Sequence, residues 1–138
     1  LAKRALGTKL KIGPTASAKA IGSLTSISSP SMSQETIDVT TLDSAGEYRE
    51  FIGGFKDGGE VSFSGFFNPQ DDGQAAVYAA LESSADEDFT IEFPAALGAK
   101  WSFKGVVTAY QTTAELEEAI GFEGTIKVSG KPTLTITP

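Results

Sequence analysis

The chain has 138 residues, 40% hydrophobic and 21% charged, with a formal net charge of −7, which fits one globular domain around a single core and excludes wholesale disorder. It contains no Cys and no His, so disulfides, thiolate and imidazole metal ligands, the thiol nucleophile and the usual neutral-pH general base are all excluded. No apolar run approaches the roughly 18 residues of a membrane-spanning helix and the N-terminus lacks the apolar stretch of a secretory signal, so the chain is expected to be soluble where it is made.

Residues 1–20 hold five basic groups (Lys3, Arg4, Lys9, Lys11 and Lys19) and no acid, while residues 21–138 hold the other six basic groups and all eighteen acids, giving +5 for the head and 6 − 18 = −12 for the body. A basic head on an acidic body can contact nucleic acid or the acidic body of another copy. It offers no aromatic side chain on which a base would stack, which favours the second partner. Residues 1–19 show neither alternation nor a helical period and are broken by Gly7, Gly13 and Pro14, so they read as an arm ahead of a domain over 20–138. Removing this arm is expected to leave the domain folded.

Strand signals then dominate. Residues 20–28 are rich in β-branched and small residues and stop at Ser29, Pro30 and Ser31. In 35–41, Ile37 and Val39 fall on one face and Asp38 and Thr40 on the other, predicting a strand with one dry side. Residues 42–58 form a connection longer than a hairpin usually needs, and it carries Tyr48, Phe51, Ile52 and Phe55, which a free solvent loop does not normally expose. Either the loop folds back over its own sheet or a neighbouring subunit covers it, with Glu47, Arg49 and Glu50 as a charged rim around an apolar centre. The second reading is preferred.

Residues 59–67 continue the alternation, with Val61, Phe63 and Phe67 inward and Glu60, Ser62 and Ser64 outward. The one helix is expected over 69–83, with Asn68 as N-cap, Pro69 at the first helical position, Asp71 and Asp72 at the positive end of the dipole, and Ala75, Tyr78 and Leu81 as the packed stripe. Four further strands follow from alternation: Phe89, Ile91 and Phe93; Trp101, Phe103 and Val107; Phe122, Ile126 and Val128; and Leu134 and Ile136 against Thr133, Thr135 and Thr137. Seven strands and one helix make the fold mainly β, an antiparallel β-sandwich or open barrel with one flanking α-helix.

No catalytic template is complete. Asp71 with Asp72 reads as a helix start, and Asp86, Glu87 and Asp88 as a solvated turn, rather than as a carboxylate pair or a calcium site. There is no P-loop or dinucleotide fingerprint, and an acidic body whose helix begins with two aspartates repels phosphates. No enzyme activity, cofactor, metal or small-molecule substrate is expected.

The stretch from Glu35 to Phe67 resembles the major tail tube proteins of siphophages, long-tailed bacteriophages. It presents an IDVT strand, a Ser-Gly loop, an E-x-I-x-G style segment (Glu50, Ile52, Gly53) and a D-x-G-E-V turn (Asp57, Gly59, Glu60, Val61), followed by a strand ending in small and aromatic residues. The similarity continues through the helix after Asn68 and Pro69 to a G-x-P-x-L ending at Gly130, Pro132 and Leu134, about three quarters of the chain.

The resemblance implies a virion protein, assembled in the bacterial cytoplasm, that forms hexameric rings stacked into a tube. Viral DNA would pass through without sequence-specific binding, and a tape measure protein and a tail terminator would be partners. On this reading 42–58 is an inter-subunit loop and the arm, with Lys3, Arg4, Lys9 and Lys11, contacts the next ring. Glu35, Asp38, Glu60 and Glu123 are placed on polar strand faces turned to the lumen. The rival readings are a monomeric β-sandwich binding module, for instance for carbohydrate, which would open a groove around Trp101 or Tyr110, and another tube or terminator protein of related fold.

Overall fold

A computed structural model describes residues 4–14 and 17–136. Seven strands form one antiparallel sheet in the order β2 (Lys19–Ala20), β1 (Lys9–Ile12), β7 (Glu87–Glu92), β8 (Ala99–Thr113), β9 (Gly121–Ile136), β6 (Glu60–Phe66) and β3 (Leu24–Ile27). The sheet curls into a half-barrel, so the open-barrel form of the expected mainly β fold is the one adopted. The remaining strands, β4 (Ser33–Asp38) and β5 (Phe51–Asp57), form a separate two-stranded hairpin.

Alternation decides which side of each strand enters the core. Val61 and Phe63 on β6, Phe89 and Ile91 on β7, Phe103 and Val107 on β8, and Phe122, Ile126 and Val128 on β9 are all buried, as their phase predicts. Phe89 stacks on Phe103 at a centroid separation of 5.6 Å and Phe63 meets Phe122 edge-on at 6.1 Å, arrangements that the ring quadrupoles favour. Trp101 is half-buried against the same core. Phe67, expected inside, lies at the surface because β6 ends at Phe66.

The single helix, α1 (Asp72–Ser83), packs on β8, β1 and β2. It begins later than expected. The N-cap is Asp71, whose carboxylate accepts the Gln74 N–H at 3.0 Å and also the Gly22 N–H at 3.0 Å, while Asn68 caps only a turn, accepting the Gln70 N–H. The buried stripe is Gly73, Gln74, Val77 and Ala80; of the expected Ala75, Tyr78 and Leu81 only Leu81 packs against the core, because a strict three-residue spacing drifts about 60° per step around a helix of 3.6 residues per turn, so the mixed three-and-four spacing defines the face. Gly73 is required there, since a Cβ would fall 2.2 Å from the Ala20 carbonyl oxygen. Gln74 is buried yet fully satisfied: its amide accepts the Asn68 N–H and donates to the carbonyls of Gly22 and Phe66, tying the helix to β6 and to the β2–β3 connection.

Three further expectations are corrected. The arm does not extend through residue 19, because Lys9–Ile12 pair antiparallel with β7 and Lys19–Ala20 with β1; Leu10 and Ile12 are core residues. The last two expected strands are one, β9, in which the register against β8 slips between Ser102 and Lys104 and so absorbs Gly130–Pro132 as a bulge. Leu134 and Ile136 beyond it are exposed. Finally, 42–58 is not all loop, since its second half is β5. Lys3 and Thr137 lie outside the described residues.

With Leu10 fully buried, Leu10→Ala should cost about 2–5 kcal/mol in urea denaturation, and a chain lacking residues 1–12 should lose cooperative unfolding. An unchanged midpoint would show β1 to be dispensable.

Candidate assembly interface

The β4–β5 hairpin is built from polar groups that satisfy one another and apolar groups left largely in water. Its strands pair from Ser33 with Asp57 to Asp38 with Phe51, and its tip, 39–50, includes one 3-10 turn at Ala45–Glu47. At the tip the Thr40 hydroxyl accepts the Glu50 N–H at 2.8 Å, Asp38 accepts the Thr40 N–H at 2.9 Å, Ser44 donates to the Glu50 carboxylate at 2.9 Å, and Arg49 pairs with Asp38 at 3.0 Å. The hydroxyl and amide of Thr40, followed by Arg49, hold the Asp38 carboxyl below the ordinary aspartate range. Arg49 and Glu50, expected as a rim for a partner, therefore also fix the tip.

The apolar side chains of the same element are solvent-exposed. Phe55 is 87% exposed and Tyr48 77%, while Phe51 and Ile52 are more than half exposed. The expected dry face of β4 is wet as well, with Ile37 half exposed. The chain does not cover this surface itself, so of the two alternatives for 42–58 the fold-back over its own sheet does not occur.

The hairpin touches the large sheet chiefly at its base, on β9. There Lys127 reaches the Asp57 carboxylate at 3.0 Å, Asp57 accepts the Gly59 N–H at 2.8 Å, and Val128 donates to the Gly59 carbonyl at 3.0 Å. Gly59 has φ +74, and a Cβ there would run into the Ser31 carbonyl, so only glycine turns the chain from hairpin to sheet at this point.

The sheet face opposite the core is polar across β3, β6, β9 and the end of β8, apart from Phe66, half exposed at the end of β6. Ser28 and Ser62 share a hydroxyl contact at 3.0 Å, and a shallow depression of about 300 Å³ is lined by Ser26, Ser62, Ser64, Gln111, Glu123 and Thr125. Glu60 sits on this face opposite Lys127. The four acids assigned to a lumen are thus split: Glu60 and Glu123 share the sheet face, whereas Glu35 and Asp38 belong to the hairpin. Of the basic arm residues, Arg4 is exposed, Lys9 is an exposed residue of β1, and Lys11 is engaged by Glu92 at 3.0 Å within its own sheet.

A hairpin with exposed apolar side chains and a broad polar sheet face, on a half-barrel with unpaired edges at β2 and β3, define a structural subunit that packs with other chains. A family profile described as lambda phage tail tube protein matches residues 13–135. The chain belongs to that family and is a structural subunit of a tail tube. No curated protein sequence matches it.

Among solved structures it is similar to a chain in the virion of a native gene transfer agent (GTA) particle, with 20% identity and a TM-score of 0.80 over 97% of this chain and 99% of that one. A chain in the tail of an empty GTA particle with C6 symmetry is 22% identical, with a TM-score of 0.80 over 97% and 99%. The SPP1 tail tube matches at 12% identity and a TM-score of 0.71, over 96% of this chain and 80% of that one. At these identities the likeness concerns the fold.

The base of the hairpin is pH-dependent. The Gly59 N–H, then the Lys127 ammonium, hold the Asp57 carboxyl below the ordinary aspartate range, so its stabilising contribution is present above the unfolded-state value and is lost as pH falls through the lower folded value. An NMR titration should find the Asp57 midpoint below that of a free aspartate. Lys127→Ala should move it part of the way back, the Gly59 bond being retained. A midpoint at the free value would refute the holding of Asp57 by Gly59 and Lys127.

Proposed function

We propose that six copies of this tail tube subunit close into a ring, that each hairpin lies against a neighbouring copy, and that stacked rings enclose a bore through which viral DNA passes. No enzymatic step is involved. The observation that carries this reading is the hairpin, a preformed element whose Tyr48, Phe51, Ile52 and Phe55 lie in water. Ordering a loop costs affinity when it happens on binding; the Asp38–Arg49 and Thr40–Glu50 contacts lower that cost by tying the tip to its own strands. The C6 symmetry of the similar GTA tail supports the ring number.

The polar sheet face is suited to line the bore. Hydroxyls and amides present no sticky apolar surface, and Glu60 and Glu123 repel phosphates at close range, within a Debye length of about 8 Å at physiological salt. Glu35 and Asp38 lie on the hairpin and would reach the bore only at its subunit joints. Assembly would take place in the cytoplasm of the bacterial host, with a tape measure protein inside the bore and a terminator at its end as the partners the family resemblance implies.

Phe51→Ser combined with Phe55→Ser should leave the isolated subunit within about 0.5 kcal/mol of its original stability, both side chains being exposed already, yet abolish rings and tubes in negative-stain micrographs. Normal tubes from this variant would overturn the hairpin's role. Glu60→Gln with Glu123→Gln should assemble normally but slow DNA ejection from reconstituted particles. An unaltered ejection rate would remove the electrostatic part of the proposal.

A further inference from the structure

The large sheet has a second surface turned away from the core. β8 pairs with β7 over residues 100–105 and with the first half of β9 over 106–113, while β9 pairs with β6 over 121–127. The sheet therefore curls into one wall made of β2, β1, β7 and the start of β8, and another made of β3, β6, the start of β9 and the end of β8. Both walls feed one core, in which Leu10 and Phe89 from the first belong to the same cluster as Val61 and Phe122 from the second. The walls also approach at their rims, where Phe93 and Pro94 border the same depression as Leu24 and Ile27 of β3. Their outward faces thus point in opposite directions. If the second lines a bore, the first is the outside of the tube.

Register shows what that outer wall presents. Lys9 pairs with Glu92 and Glu92 with Lys100, Lys11 with Thr90 and Thr90 with Ser102, and Asp88 with Lys104. Residues directly opposite on antiparallel strands share a side, and the alternate positions Leu10, Phe89, Ile91 and Phe103 are buried, so these polar side chains all face outward. The wall carries four lysines and two acids, 4 − 2 = +2, where the opposite wall has Lys127 against Glu60 and Glu123, 1 − 2 = −1, on a chain of net −7. Lys11 is engaged by Glu92 at 3.0 Å, whereas Lys104 stands 3.9 Å from Asp88. Among the described residues Lys9 and Lys100 enter no ion pair. Lys9, Lys100 and Lys104 are all exposed.

Resting on the tube reading above, we infer that this outer wall binds an acidic polysaccharide outside the particle, Lys9, Lys100 and Lys104 taking its anionic groups and Thr90, Ser102 and the two carboxylates between them taking its hydroxyls. Spacing decides the kind of polyanion. At about 4.8 Å between strands and about 3.3 Å per residue, Lys9 and Lys100 are roughly 10 Å apart and Lys100 and Lys104 roughly 13 Å, with Glu92 and Asp88 interposed. Duplex DNA carries a charge about every 1.7 Å along its axis, so it would set phosphates against both carboxylates. A polymer whose charges are sparse and separated by hydroxyl-bearing units avoids that repulsion. The wall also turns its one aromatic candidate, Trp101, toward the core, leaving no platform for a base. Three lysines on one copy bind weakly at physiological salt, but six copies per ring, repeated along a tube, convert weak contacts into an avid one.

Tubes of the full chain, mixed with beads coated in dextran sulfate, test this directly, because such beads are too large to enter a bore and touch only the outside. The expected result is retention at low salt, release as salt is raised, and no retention on beads of uncharged dextran. Lys9→Gln, Lys100→Gln and Lys104→Gln together, all at exposed positions, should still give tubes but lower retention at least about tenfold, and arginine at the same three positions should keep it. Tubes that form without being retained, or that are retained equally after the three glutamine changes, would overturn the inference and leave the tube reading standing. Release by duplex DNA at charge concentrations where soluble dextran sulfate releases nothing would give the surface to nucleic acid and overturn the polysaccharide assignment. If no tubes form, the tube reading fails by itself and NMR of the isolated subunit decides the face: soluble dextran sulfate should shift the signals of Lys9, Lys100 and Lys104, and unshifted signals would overturn the binding surface as well.

Discussion

The constraint on which the rest depends is that the hairpin cannot bury its own apolar face. Its base is held to β9 by Asp57 and Lys127 and turned by Gly59, its tip is closed by its own hydrogen bonds, and both of its faces remain wet. Fully burying an exposed side chain of this kind is worth about 1.5–3 kcal/mol; with Phe51 and Ile52 already nearly half covered, the four together contribute about 4–8 kcal/mol, while bringing two proteins together costs about 4–15 kcal/mol. A hairpin contact alone is therefore marginal, and a closed ring, where every copy gives and receives the same contact, is the arrangement in which it becomes decisive.

The half-barrel is the rigid frame that makes this possible. The helix sits close on β2 because Gly73 has no side chain, and Asp71 and Gln74 connect its start to the chain at Gly22 and Phe66. Satisfying these polar groups internally leaves the sheet's other face free to be polar for a different reason. Ser62, Ser64 and Thr125 lie on that face outside the core, and Ser28 ties the end of β3 to β6, its hydroxyl accepting the Ser62 N–H at 2.9 Å. The free edges of β2 and β3 pose the same problem as the hairpin, since unpaired strand borders invite pairing with another chain.

Much of the frame was legible. The buried faces of β6, β7, β8 and the first half of β9 follow from alternation alone, and the helix was placed within a few residues. The misses have physical causes. Lys9–Ile12 alternates as cleanly as any strand, but it is short and flanked by Gly7, Gly13 and Pro14, which draw attention to the breaks instead of to Leu10 and Ile12. Phe51–Asp57 was obscured by Gly53 and Gly54, since glycine is depleted in strands. Gly130 and Pro132 resemble a strand end, and only the slipped register with β8 shows them to be a bulge.

By itself the sequence determined the two-residue period of the strands, the single helix, the lack of imidazole and thiol chemistry, the polarity of charge from head to body and the family likeness between Glu35 and Phe67. It could not determine which apolar faces are covered. Ile37 on β4 and Val39 just past its end, or Leu134 and Ile136 on β9, alternate as Phe89 and Ile91 do, yet the first four are exposed and the last two buried. Alternation records a difference between two faces of a strand and says nothing of what packs against either. That depends on pairings between residues far apart in the chain, such as Asp57 with Lys127, which only the tertiary structure brings together.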